Sequence, residues 1–154
     1  MDYEQLLEEA EKEGLEIQEK QFQSNNIKGL YADGIIALNS SVETQAEKLC
    51  VLAEELGHHY TTVGNILDQS RLENRKQERR ARAWAYNRLV GIVGLINAYR
   101  HGVRNMHELA EFLGVSEQFL KEALRYYCEK FGPYYEVDNY TICFDPLWIM
   151  EKQE

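Results

Sequence analysis

The chain has 154 residues, 44% apolar and 28% charged, which suits one globular domain with its own core and leaves little room for long disordered parts. Its formal net charge of -9 works against general binding to a phosphate backbone, although Arg71 to Arg82 forms a local basic cluster. The acidic start, Met1-Asp2-Tyr3-Glu4, and the lack of any run near the ~18 apolar residues of a membrane span predict neither a signal peptide nor a membrane anchor, so the expected compartment is the cytoplasm.

Tyr3, Leu6, Leu7 and Ala10 recur at helical spacing over residues 2–13, and Gly14 follows as a stop. Leu15-Glu16-Ile17-Gln18 alternates like a short strand. Asp33-Gly34 between Leu30-Tyr31 and the run Ile35 to Leu38 predicts a β-hairpin. Ser40 and Glu43 have capping-box spacing and predict the start of a helix that buries Ala46, Leu49, Ala53 and Leu56 and ends near His59 or Tyr60. Thr61 to Ser70 reads as a loop with Gly64 and Asn65. A second long helix is expected from Arg71 past Leu89, burying Ala81, Trp84, Ala85, Leu89 and Val90, with Gly91 and Gly94 as points of bending or termination.

Met106, Leu109, Ala110 and Leu113 form one apolar stripe. Gly114-Val115-Ser116 is a turn, and Ser116 caps a helix through Phe119, Leu120, Ala123 and Leu124. This 105–129 subregion resembles a helix-turn-helix. Its second helix offers Glu117, Gln118, Lys121, Glu122 and Arg125, nearly neutral in sum, so a packing role is expected and direct nucleic-acid binding is not. Tyr134 to Val137 and Tyr140 to Phe144 flank Asp138-Asn139 as a second hairpin. The fold class is α+β, mostly helical, over 1–154. Cys50, Cys128 and Cys143 form no C-x-x-C pair and read as buried free thiols. His101 and His107 lack partners at ligand spacing and belong on the surface.

The chemistry concentrates in Glu54-Glu55-Leu56-Gly57-His58-His59. Residues four apart on a helix share a face, so Glu54 aligns with His58 and Glu55 with His59. A carboxylate and an imidazole so placed can hold a divalent metal, and the adjacent glutamate can serve as base for the attacking water. The familiar pattern is H-E-x-x-H; here Glu55-Leu56-Gly57-His58 keeps E-x-x-H, and Glu54 replaces the first histidine. A glutamate ligand adds negative charge and favours harder metals, so manganese stands beside zinc. A rotated register, with His59 as ligand in place of His58 and paired with Glu55, is the alternative. Without a metal, the same glutamates are a solvated face and the histidines meet the negative helix C-terminus.

The segment Leu52 to Tyr60, the hairpin before it, Gly64-Asn65-Ile66, and the pattern Glu78, Ala81, Trp84, Ala85, Leu89 resemble the ImmA/IrrE metallopeptidases of phages and mobile elements. That resemblance implies a zincin-like domain and a metal site completed by an acidic residue on the following helix. Glu78 fits that place and Glu73 fits it less well. Glu54, His58 and Glu78 would then hold the metal, Glu55 would be the catalytic base, and His59 or Tyr60 would orient the site or stabilise the oxyanion. The implied role is that of an anti-repressor: an endopeptidase of a prophage or integrative element that cleaves a helix-turn-helix repressor. A second expectation, drawn from the missing first histidine, is an impaired module that binds the repressor without cutting it.

Overall fold

The computed structural model describes residues 1–61 and 71–153, with backbone alone at 71–73. The loop expected over 61–70, including Gly64, Asn65 and Ile66, lies outside the described residues apart from Thr61. The fold is mixed α+β and mostly helical, with two small sheets. Contacts cluster in two compact units, Met1–Leu89 and Val90–Glu154, where the sequence reading has one domain over 1–154.

In the first unit, α1 (Tyr3–Lys12) begins at Asp2, whose side chain accepts the Gln5 N–H while the Gln5 side chain accepts the Asp2 N–H. This reciprocal cap satisfies two donors that a helix start leaves open. Tyr3, Leu6 and Ala10 form its buried stripe. Strands β1 (Glu16–Lys20), β2 (Gly29–Ala32) and β3 (Ile35–Asn39) make a sheet in the order β1-β3-β2. The expected hairpin is β2–β3, antiparallel, with Tyr31 opposite Ile36. Asp33 and Gly34, at φ 48° and 79°, supply the two positive-φ residues that its tight turn needs. The first strand joins β3 in parallel, Ile17 against Ile36.

Helix α2 (Gln45–Thr61) starts later than the Ser40–Glu43 spacing predicts. Asn39 explains the delay. It is 2% exposed, its amide donates to the carbonyls of Ile27 (2.8 Å) and Ser24 (3.2 Å), and its oxygen accepts the Ser41 N–H (3.0 Å). Ser40 meanwhile donates its N–H to the Lys20 carbonyl, so it still belongs to the sheet. The true cap is Thr44, whose hydroxyl accepts the Glu47 N–H at 3.1 Å.

Helix α3 (Arg71–Leu89) packs along α2. Gly57 meets Ala81 backbone to backbone: a β-carbon at Gly57 would stand 2.9 Å from the Ala81 Cα and nearer still to its carbonyl oxygen. Only glycine allows backbones to meet so closely. Ala81, Ala85 and Leu89 are buried as expected. Trp84, expected in the core, is half-buried and stacks at 5.0 Å between centroids on Tyr60, itself 44% exposed at the end of α2.

In the second unit, α4 (Gly91–Arg100) begins at Gly91, φ 68°, which separates it from α3; Val90, read as part of that helix, is its N-cap residue instead. Helices α5 (Met106–Leu113) and α6 (Glu117–Phe131) are joined by left-handed Gly114 and capped by Ser116, as the sequence predicts. The expected second hairpin is β4 (Tyr134–Val137) with β5 (Tyr140–Phe144), but a third strand, β6 (Leu147–Glu151), corrects it to a three-stranded antiparallel sheet. With β6 on one side and β4 on the other, β5 is buried throughout. Leu95, Leu120, Tyr127, Ile142 and Phe144 form the core, and the Tyr127 hydroxyl accepts the Gly91 N–H at 3.0 Å. None of the three cysteines is in a disulfide; Cys50 and Cys143 are buried and Cys128 is half-buried. Both surface histidines are exposed, yet His107 does have partners, Glu111 at 3.0 Å and Glu117 at 3.1 Å.

Candidate metallopeptidase site

The first unit brings three expected residues together beside one cavity of about 270 Å³. Helix α2 contributes Glu55 and His58, α3 contributes Asn74, Gln77 and Glu78, and β2 contributes Gly29, Leu30 and Tyr31. The Gly57–Ala81 contact sets the spacing between the two helices. One residue after Gly57, His58 points its Nε2 at the Glu78 carboxylate, 2.8 Å away.

Gly29 does for the sheet what Gly57 does for the helix. A β-carbon there would lie 2.8 Å from the Val51 Cγ1 and 3.0 Å from the Glu55 Cγ. Strand β2 therefore lies directly on the Glu55 side chain and shields it from water. Burial is the largest influence on Glu55, raising its pKa from 4.5 to about 7; nearby His58 opposes this, while Glu54 and Glu78 add to it. The hydrogen bond to Glu78 is the largest influence on His58 and raises its pKa against the effect of burial. The same bond holds Glu78 below the usual carboxylate range, with help from Arg82. The result is an ion pair next to a carboxyl group poised near neutrality.

The remaining expected residues lie around this centre. Glu54 is half-buried one turn before His58 and bears electrostatically on Glu55 and His58, but it does not line the cavity. Its neighbour His59 turns to the other side, where its Nδ1 shares a hydrogen bond of 2.8 Å with the Tyr31 hydroxyl. Tyr60 is 44% exposed, stacked on Trp84, and feels Glu13, Glu9 and Arg88, so it faces away from the cavity. Glu73 is described in backbone only.

Sequence reasoning missed Tyr31 and Gln77. The signal for Tyr31 was present: by strand alternation Gly29 and Tyr31 share the face of Leu38 and Ile36, which are buried. Gln77, 9% exposed, sat in a charge-rich run that looked solvated throughout.

The family model of the IrrE N-terminal-like domain, a peptidase family, matches residues 10–125. The chain belongs to this family. No match was found among curated proteins or among solved structures. No helix among the described residues is long and apolar enough to cross a membrane.

For an IrrE N-terminal-like domain the question is whether these residues suit the metal that such peptidases use. Two ligands of one tetrahedral zinc, at ~2.05 Å bonds, stand about 3.3 Å apart. The His58 imidazole and Glu78 carboxylate, 2.8 Å apart, would need only a small separation to become two such ligands. Among the described residues no three His, Cys, Asp or Glu side chains converge as a ligand group. The donor chemistry of His58 and Glu78 suits such an ion, and among the described residues no third donor joins them.

Proposed function

We propose that this IrrE N-terminal-like domain is a metal-dependent endopeptidase of a phage or integrative element, acting on a helix-turn-helix repressor. The observation that carries the peptidase reading is the half-buried Glu55, its pKa raised toward neutrality, beside the His58–Glu78 pair, in a chain of a peptidase family. The repressor as substrate, and with it the anti-repressor role, rests on the resemblance to the ImmA/IrrE proteins.

His58 and Glu78 would hold one divalent ion, zinc or manganese, with Glu54 from the preceding turn of α2 as the third ligand. When bound, such an ion polarises the scissile carbonyl and acidifies the attacking water. Glu55 accepts the proton of that water and returns it to the departing amine; a carboxyl near neutrality can do both. With His59 donating its Nδ1–H in their shared bond, the Tyr31 hydroxyl hydrogen would be available to the developing oxyanion, a role expected of His59 or Tyr60. Strand β2 excludes bulk water from one side of Glu55.

The test is metal content of the unmodified protein and His58→Ala, followed by repressor cleavage with Glu55→Gln. Roughly one ion per chain, lost with His58, and no cleavage by Glu55→Gln are the expected results. Cleavage at the unmodified rate by Glu55→Gln would overturn the mechanism.

One observation favours a second reading. Glu54 stands where the H-E-x-x-H pattern has histidine, and no third ligand converges among the described residues. A module that binds the repressor without cutting it would give a stable complex in pull-down and no cleavage products with any divalent metal.

A further inference from the structure

We infer that the second unit carries a binding pocket for a small apolar monocarboxylate, separate from the peptidase chemistry. A cavity of about 580 Å³ opens among α4, α5 and β6, within the ~300–1,000 Å³ range of small-molecule sites. Its walls are apolar: Leu95 and Ala98 from α4, Met106 and Leu109 from α5, Leu147 and Ile149 from β6. Such walls gain from covering an aliphatic or aromatic body, and Asn105, which also lines the cavity, has its side-chain oxygen taken by the Glu108 N–H at 2.8 Å.

Arg104 supplies the polar end. It lines the cavity, and its guanidinium lies over the ring of Tyr99, a second lining residue, with Cζ 5.8 Å from the centroid. Among the described residues the guanidinium makes a single long hydrogen bond, Nη1 to the Val103 carbonyl at 3.4 Å. Glu108 takes the backbone N–H of Arg104 at 3.2 Å, and among the described residues no carboxylate pairs with the guanidinium. A guanidinium matches a carboxylate through two parallel hydrogen bonds. The lining holds this single cation, so one carboxylate is balanced and a second would enter an apolar cavity unpaired. The cation–π contact with Tyr99 favours the guanidinium on this side of the cavity.

The cavity carries its own reporter, because Trp148 lines it and the chain has two tryptophans. In the full chain with Trp84→Phe, Trp148 emission is titrated with decanoate and, separately, with decanol. The expected result is a saturable change with decanoate and at least roughly tenfold weaker binding of decanol, since a charge-assisted pair is absent. Arg104→Met, an exposed substitution, should weaken decanoate by roughly tenfold and leave decanol unaltered, with an unchanged melting curve. The comparison of the two ligands on unaltered Arg104 needs no cavity variant to fold. No saturable change with decanoate, equal affinity for decanol, or full decanoate affinity in Arg104→Met would each overturn the proposal.

Discussion

The site depends on two helix backbones meeting at Gly57, and Gly57→Ala tests that dependence. The added β-carbon would sit 2.9 Å from the Ala81 Cα and 2.8 Å from its carbonyl carbon, both backbone atoms that cannot rotate away. Restoring ordinary contact requires the helices to part by roughly 1 Å, a distortion of the overpacking kind that costs about 1–3 kcal/mol. Alanine returns up to about 1 kcal/mol through its better helix propensity, so a net loss of up to about 2 kcal/mol is expected. For a unit of this size each kcal/mol corresponds to roughly 4–8 °C in melting temperature. The same displacement carries His58 away from Glu78 and stretches the 2.8 Å bond past hydrogen-bonding length. Thermal melting and an NMR titration of His58 read both effects; the His58 pKa should fall back toward its ordinary value. Gly94→Ala is the control, because its β-carbon would meet only the end of Leu113 at 3.4 Å, and it should stabilise by about 0.5–1 kcal/mol. If Gly57→Ala melts at or above the unmodified protein, the close approach is not what positions the site.

Three further outcomes follow from the first unit. Asn39→Ala removes three hydrogen bonds from a buried position and should cost about 2–4 kcal/mol by chemical denaturation; a loss below about 0.5 kcal/mol would mean that the 24–27 segment does not depend on it. Chelator-treated protein should melt higher near about pH 5 than near about pH 8. Glu55 and His58 both hold their protons more tightly folded than unfolded, so their stabilisation is complete below the unfolded values and is lost as pH rises through the folded ones. The Glu55 rise from 4.5 to about 7 corresponds to about 3 kcal/mol; Glu78, lowered instead, acts in the opposite direction only in more acidic solution, and a flat profile would show that the cover of β2 does not desolvate Glu55. Tyr31→Phe should leave stability within about 1 kcal/mol and reduce repressor cleavage by roughly 10²-fold if its hydroxyl meets the oxyanion.

Local chemistry made much of this fold legible. Asp33-Gly34 announced the hairpin because few residues accept two consecutive positive φ values, and Gly114 with Ser116 announced the turn between α5 and α6. What failed was non-local. Ser40 and Glu43 have the spacing of a cap, but Asn39 and the Lys20 carbonyl, distant in sequence, claim that backbone for the sheet. Leu147 to Glu151 follows Asp145-Pro146, a turn-initiating pair that went unread because it lacks the Asp-Gly or Asn-Gly form, and its pairing with β5 appears only once β5 has an open edge. Within the site, His58 and Glu78 could be paired by pattern, whereas the placing of Tyr31 and Tyr60 depends on which face of α2 the sheet covers.

The two histidines admit two registers in the sequence, and the geometry gives each ring a different task. His58 directs Nε2 to Glu78 across the cavity, while His59, about 100° further around the helix, sits between the Tyr31 and Tyr60 rings at 5.4 and 5.0 Å and bonds to the Tyr31 hydroxyl. If His58 is the ligand, His58→Ala should abolish metal binding measured by competition with a chromogenic chelator. His59→Ala should retain the metal with an affinity lowered by roughly 10–100-fold at most, the cost of losing a supporting residue. If His59 is the ligand, the order reverses: His59→Ala loses the metal and His58→Ala keeps it. A Tyr31→Phe variant separates the cases again, because removing the hydroxyl leaves a His58 site intact but unties the ring that a His59 site requires. Equal and complete loss in both alanine variants would mean that the helix end, rather than either ring, sets the affinity, and the assignment of His58 would fall with it.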